Sequence, residues 1–183
     1  MDLQSPIYEV RKAILKDALD IANVHLKCWQ ETYSALLGQS FLNKRTCVYY
    51  LEKYEQRLKN EKRLCLIALS QGKIIGFCTA APLEFHNNQS FSSTQLEELR
   101  NNKGEIDNLY LLKKFQGIGV GRMLLAKASL WLEMNHLSPF LIWTLKNNLD
   151  ARKFYESQGG KLVAEVLTRI GENKYPEVAY RFV

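Results

Sequence analysis

The sequence predicts a mixed α/β (α+β) fold, a mostly antiparallel central sheet flanked by helices, and three observations carry that expectation. Short β-rich runs alternate with segments of helical period along the whole chain. Two pairs of those runs are separated by tight-turn residues, Ser70-Gln71-Gly72 and Gly171-Glu172-Asn173, which is the chemistry of hairpins joining antiparallel neighbours. A segment with three alternate glycines, Gln116 to Arg122, stands between one strand and the helix that follows it. At 183 residues the chain is expected to form a single domain over residues 1–183.

Taken in order, Ile7 to Lys12 reads as a first strand, after which Asp17 can cap a helix. In that helix Ile21, Val24, His25, Cys28 and Thr32 hold helical spacing, and Trp29 and Tyr33 lie near its end. A second helix runs from about Thr46 to Asn60, with Cys47, Leu51, Tyr54 and Leu58 turned inward and Glu52, Lys53, Glu55 and Arg57 facing water. Leu64 to Leu69 and Lys73 to Ala81 form a hairpin. Pro82 to Lys103 is polar and reads as a surface insertion with at most a short helix around Thr94 to Arg100. Glu105 to Leu111 alternates as a strand, and the helix beyond the glycines carries the stripe Gly121, Leu124, Leu125, Ala128, Trp131 and Leu132. Phe140 to Leu145 is a short buried strand, and a helix from about Leu149 to Ser157 is stopped by Gly159 and Gly160. Lys161 to Arg169 and Glu177 to Val183 close the chain as a last hairpin.

Composition removes several function classes. The hydrophobic share of 46% and charged share of 24% match an ordinary globular chain, without a low-complexity tract. Met1 to Lys12 carries Asp2, Glu9, Arg11 and Lys12 where a signal peptide needs an apolar stretch, and no run of about 18 apolar residues occurs, so a cytoplasmic protein with no membrane partner is expected. Cys28, Cys47, Cys65 and Cys78 are scattered singly in apolar stretches, and His25, His86 and His136 are equally isolated, so neither a disulfide framework nor a metal site is expected. The net charge of +6 attracts polyanions, either nucleic acid or a phosphorylated cofactor. The basic residues are interspersed with acids instead of forming a stripe, which argues against nucleic acid.

Gln116-Gly117-Ile118-Gly119-Val120-Gly121-Arg122 places backbone N–H groups at a helix start, where their unpaired donors and partial positive charge suit an anion. Glycines let the backbone approach a phosphate closely. The competing reading is a plain turn, with Gly121 letting the helix pack closely on the sheet. The spacing fits neither G-x-G-x-x-G nor G-x-x-x-x-G-K-[ST], which excludes the two common nucleotide loops.

These residues resemble a family. Gln116, Gly119 and Gly121, preceded by Ile106-Asp107-Asn108-Leu109-Tyr110-Leu111, look like the acetyl-CoA signature of the GNAT superfamily of N-acyltransferases. Asn148-x-x-Ala151-x-x-Phe154-Tyr155-Glu156 is similar to that family's Asn-x-x-Ala-x-x-Phe-Tyr helix, and Ile21 to Leu42 looks like its first two helices. Lys113 stands where a proline is common, and Gly160 where an aromatic usually follows the glycine. The resemblance implies the acyl-CoA N-acyltransferase fold and an enzyme moving acetyl from acetyl-CoA to a primary amine of a small molecule. A protein or peptide amino group and a non-catalytic acyl-CoA sensor stand as alternatives, and a homodimer is left open.

The resemblance also implies roles. The backbone of Leu109, Tyr110 and Leu111 would pair with the pantetheine arm, and Gln116, Gly117, Ile118, Gly119, Val120, Gly121 and Arg122 would hold the pyrophosphate. Tyr155 would be the general acid for the departing thiolate, or else core packing. Asn148 would bond the cofactor arm or an ordered water, or cap its helix, and the two can coexist. Glu105 is the candidate water-mediated base with Asp107 in reserve, since alternation sets Glu105, Asp107, Leu109 and Leu111 on one face unless a bulge intervenes. Trp29, Tyr33 and the insertion around Glu84 to Phe91 are nominated for the acceptor site, where aromatics could box an ammonium or simply fill a core.

Overall fold

The computed structural model describes residues 8–33, 45–85 and 89–183. Its elements run β1 (Tyr8–Lys12), α1 (Ala18–Tyr33), α2 (Cys47–Leu58), β2 (Leu64–Ser70), β3 (Lys73–Pro82), β4 (Gln89–Ser90), α3 (Ser93–Leu99) and β5 (Gly104–Leu111). There follow α4 (Val120–Met134), β6 (Phe140–Leu145), α5 (Leu149–Ser157), β7 (Lys161–Ile170) and β8 (Asn173–Phe182). Ile7, the part of the expected helical segment beyond Tyr33, and His86 lie outside the described residues. Among the described residues eight strands join in a mixed, mostly antiparallel sheet, as the hairpin signals predict.

The chain gathers into two compact units: Met1–Thr79 with Asn108–Ala128, and Ala80–Asp107 with Ser129–Val183. In the first, the strand order is β1-β2-β3-β5. Gln71 and Gly72 turn β2 into β3 with φ of 50° and 74°, the left-handed pair a two-residue hairpin needs. Ile21, Ala22, Cys28, Tyr50, Tyr54, Ile67 and Phe77 bury against one another to form this unit's core.

Two local expectations change here. Asp17 does not cap α1. It ends a turn of 3-10 helix over Leu15–Asp17, where its carboxylate accepts the Ile14 N–H at 2.8 Å and both Arg11 guanidinium nitrogens at 2.8 and 3.0 Å. Arg11 holds the Asp17 carboxyl below its usual range. In α2, whose N-terminus Thr46 caps by accepting the Tyr49 N–H, the buried face is Tyr50, Tyr54 and Arg57, while Cys47, Leu51 and Leu58 are half-buried. Arg57, expected in water, is therefore inside. The reason is the amphipathic nature of Tyr and Arg, which can bury a long stem and defeat a pattern built on aliphatic residues alone.

In the second unit the strand order is β3-β5-β6-β8-β7-β4. β5 and β6 run parallel, pairing Glu105 with Leu141, whereas β6–β8 and β7–β8 are antiparallel. The last hairpin is longer than its pattern suggests: β8 begins at Asn173, and β7 is irregular at Leu162/Ala164. The polar stretch after Pro82 contributes β4, which pairs with β7, and the short helix α3. Ser92 caps α3 while Gln95 reaches back to the Ser92 N–H, a reciprocal box. Leu99 buries fully beside Leu141, Ala164 and Ala179, so part of the expected surface insertion belongs to the core.

Candidate functional site

The first unit contributes the glycine segment. After β5 a 3-10 turn at Lys113–Phe115 leads to Gln116, whose side-chain amide donates to the Leu111 carbonyl at 3.0 Å and ties the loop to the strand end. Gly117 and Gly119 hold φ of 76° and 91°, values that a Cβ makes costly. A Cβ on Gly117 would meet nothing within 4 Å, and one on Gly119 only the Arg122 guanidinium at 4.0 Å. Backbone conformation, not crowding, thus requires these glycines, and the space above them is open.

The Gly119 carbonyl accepts the Met123 N–H at 3.1 Å, starting α4, so the N–H groups of Val120 to Arg122 occupy the first turn, where no helical acceptor exists for them. Val120 is fully buried and anchors the helix start, while Gln116, Gly117, Ile118 and Arg122 are exposed. An exposed, left-handed loop feeding a helix N-terminus presents donors and partial positive charge to an anion.

Beside it, Leu109, Tyr110 and Leu111 are half-buried at the end of β5. The Tyr110 hydroxyl accepts the Trp29 indole N–H at 3.0 Å, and the Trp29 and Tyr33 rings stand 4.9 Å apart. These two nominated residues are thus assembled on one strand residue. Burial pushes the Tyr110 phenol well up, so its hydroxyl stays protonated. The Arg45 guanidinium lies over the rings of Trp29 at 5.7 Å and Tyr49 at 4.7 Å. Behind them His25 stacks on Tyr50 at 3.9 Å and shares a 2.7 Å hydrogen bond with Tyr54.

The second unit carries the remaining nominated groups. Glu105 is 3% exposed in β5, and Asp107 is half-buried two residues on. The Asn148 side-chain oxygen accepts the Ala151 N–H at 3.3 Å, the N-cap geometry of α5. Tyr155 is buried on α5, its ring 5.6 Å from Phe154 and 5.8 Å from Tyr180. Gly160 has its own reason for departing from an aromatic: a Cβ there would come within 2.7 Å of the Phe182 ring.

One group escaped sequence reasoning. The Tyr180 hydroxyl on β8 accepts Arg152 Nε–H at 3.0 Å and donates to Glu156 Oε1 at 2.6 Å. Burial first, then the bond to Glu156, raises the Tyr180 phenol. Arg152 and Glu156 are i, i+4 on α5, a visible signal, but nothing in the sequence pairs them with a strand tyrosine 28 and 24 residues away.

An uncharacterized N-acetyltransferase of Bacillus subtilis, YuaI, is 29% identical over 156 residues, covering 85% of this chain and 82% of its own. Among solved structures, the PaiA N-acetyltransferase from Thermoplasma acidophilum, in complex with coenzyme A, superposes with a TM-score of 0.71 at 20% identity, covering 93% of this chain and 98% of that one. An aminoglycoside N-acetyltransferase solved with CoA gives 0.64 at 16% identity, covering 87% and 91%. The model of the Acetyltransferase (GNAT) family matches residues 21–160, most of the chain, and with the strand order and glycine loop already described this protein belongs to the GNAT family of acetyltransferases.

Proposed function

We propose that the protein transfers acetyl from acetyl-CoA to a primary amine of a small molecule by direct attack. The observation that carries this reading is the open left-handed loop at Gly117 and Gly119, bonded through Gln116 to the end of β5 and feeding the first turn of α4. That loop would hold the pyrophosphate, and the backbone of Leu109 to Leu111 would pair with the pantetheine arm.

In the proposed reaction the amine nitrogen attacks the thioester carbonyl carbon, the C–N bond forms and the C–S bond breaks. The amine's proton passes through water to Glu105, with Asp107 as the alternative base, and Tyr155 supplies a proton to the thiolate sulfur. Asn148, already the cap of α5, would bond the cofactor arm or an ordered water with the capacity its cap leaves over. Trp29 and Tyr33, gathered on Tyr110, would border the acceptor.

A small acceptor is favoured by that cluster, because aromatic faces with fixed hydroxyl and indole groups suit a compact amine. The shared fold includes an aminoglycoside N-acetyltransferase. The test is thiol release from acetyl-CoA with a panel of spermidine, kanamycin and a lysine-containing peptide, alongside calorimetry of acetyl-CoA binding. Turnover with spermidine or kanamycin supports the proposal, and turnover with the peptide alone reassigns the acceptor to protein. Tight binding without turnover on any amine would leave the sensor reading standing.

A further inference from the structure

α5 is held to β8 by one hydroxyl gripped from two helical turns. Arg152 and Glu156 lie four residues apart, hence on one face of α5, and both reach the Tyr180 oxygen: Arg152 Nε donates to it at 3.0 Å, and it donates to Glu156 Oε1 at 2.6 Å. Arg152 also donates through Nη1 to the Lys146 carbonyl at 3.2 Å, which ties the same side chain to the segment entering the helix. Tyr180 is fully buried, in register with Ile142 on β6 and Leu162 on β7, so the oxygen gripped by α5 sits on an interior strand that cannot follow the helix if it turns.

Tyr155 is adjacent to Glu156 and three residues after Arg152, and its ring packs on the Tyr180 ring at 5.8 Å with a 49° tilt. The two grips therefore remove the rotation of α5 about its axis, the motion that would swing the Tyr155 phenol, and the Tyr180 ring closes one side of Tyr155. From this geometry we infer that Tyr180, acting with Arg152 and Glu156, is the positioning residue that aims Tyr155. Tyr180 is not itself a proton source: its hydrogen is committed to Glu156. The inference rests on Tyr155 being the general acid, and a misplacement of about 1 Å in such a group can cost on the order of 100-fold in rate.

The test measures steady-state kinetics of thiol release with whichever amine of the panel above turns over. Tyr180→Phe keeps the ring and removes the gripped oxygen, and is expected to lower kcat ~10- to 100-fold while KM for acetyl-CoA stays within about 3-fold. Glu156→Ala should do the same. Glu156→Gln, which keeps an oxygen able to accept from Tyr180, should retain most of the rate.

Combining Tyr180→Phe with Tyr155→Phe should add no further loss to the residual rate, because the effect of Tyr180 passes through the Tyr155 hydroxyl. Unchanged kcat in Tyr180→Phe, or equal loss in Glu156→Gln and Glu156→Ala, overturns the inference, as does a further loss in the double variant. Should Tyr180→Phe fail to fold, the two Glu156 variants decide alone. If Tyr155→Phe keeps full kcat, the general-acid reading itself fails, an outcome recognised without reference to Tyr180.

Discussion

His25 Nδ1 and the Tyr54 hydroxyl lie 2.7 Å apart at the centre of an aromatic cluster in which His25 is 3% exposed. Desolvation, reinforced by Lys53, Arg45 and Arg57, pushes the imidazole well below its usual range, so the folded protein holds it neutral. The unfolded chain protonates it near 6.5, which means the unfolded state binds more protons between that value and the depressed folded one. Stability is full above about 6.5 and falls as pH drops below it. His25→Gln, which keeps a hydrogen-bonding group but cannot titrate, should narrow the difference between urea midpoints at pH 7.5 and pH 5. An unaltered difference would show that His25 does not carry the acid sensitivity.

The Arg11–Asp17 pair titrates with the same sign but lower on the scale. Its bidentate bonds hold Asp17 below the ordinary carboxylate value, so their stabilisation is present above about 3.9 and is lost as pH falls through the folded value. Asp17→Asn should cost about 1–3 kcal/mol at pH 7, shrinking toward zero in strong acid. Denaturant titrations of both proteins across that range measure it.

Tyr155→Phe should lower kcat by roughly 100- to 10,000-fold, the range a positioned proton donor supplies, with acetyl-CoA affinity by calorimetry little changed. The preserved ring keeps its packing on Phe154 and Tyr180, so a large change in melting temperature is not expected. A variant that turns over at the parent rate would return Tyr155 to the core.

Two glycine substitutions should part company. Gly119→Ala places a Cβ at φ 91° in open space, costing about 1–2 kcal/mol in that conformation and distorting the loop, so acetyl-CoA should bind about tenfold more weakly. Gly160→Ala instead drives a Cβ against Phe182, so the melting temperature should fall while affinity holds. Thermal melts and calorimetry on the pair read both quantities.

The contrast between legible and illegible parts follows the range of the interactions. The Gln71-Gly72 hairpin and the start of α4 beyond the glycines are readable, because each depends on residues within about one turn of each other. Arg57 is buried against expectation because a helical pattern built on aliphatic residues does not register a guanidinium whose long stem can pack inside. Leu99 was assigned to a surface insertion because polar neighbours hide one apolar anchor, whose partners Leu141, Ala164 and Ala179 come from elsewhere in the chain.

By itself the sequence determined the mixed sheet, the glycine loop at a helix start and the family, since periodicity, turn residues and motif spacing are local properties written in neighbouring residues. Only the tertiary structure decided that Trp29 and Tyr33 meet on Tyr110, and that one Tyr180 hydroxyl is gripped by Arg152 and Glu156. Those meetings join residues many positions apart, and a hydrogen bond of about 3 Å between distant residues exists only once strand register and helix rotation are set together.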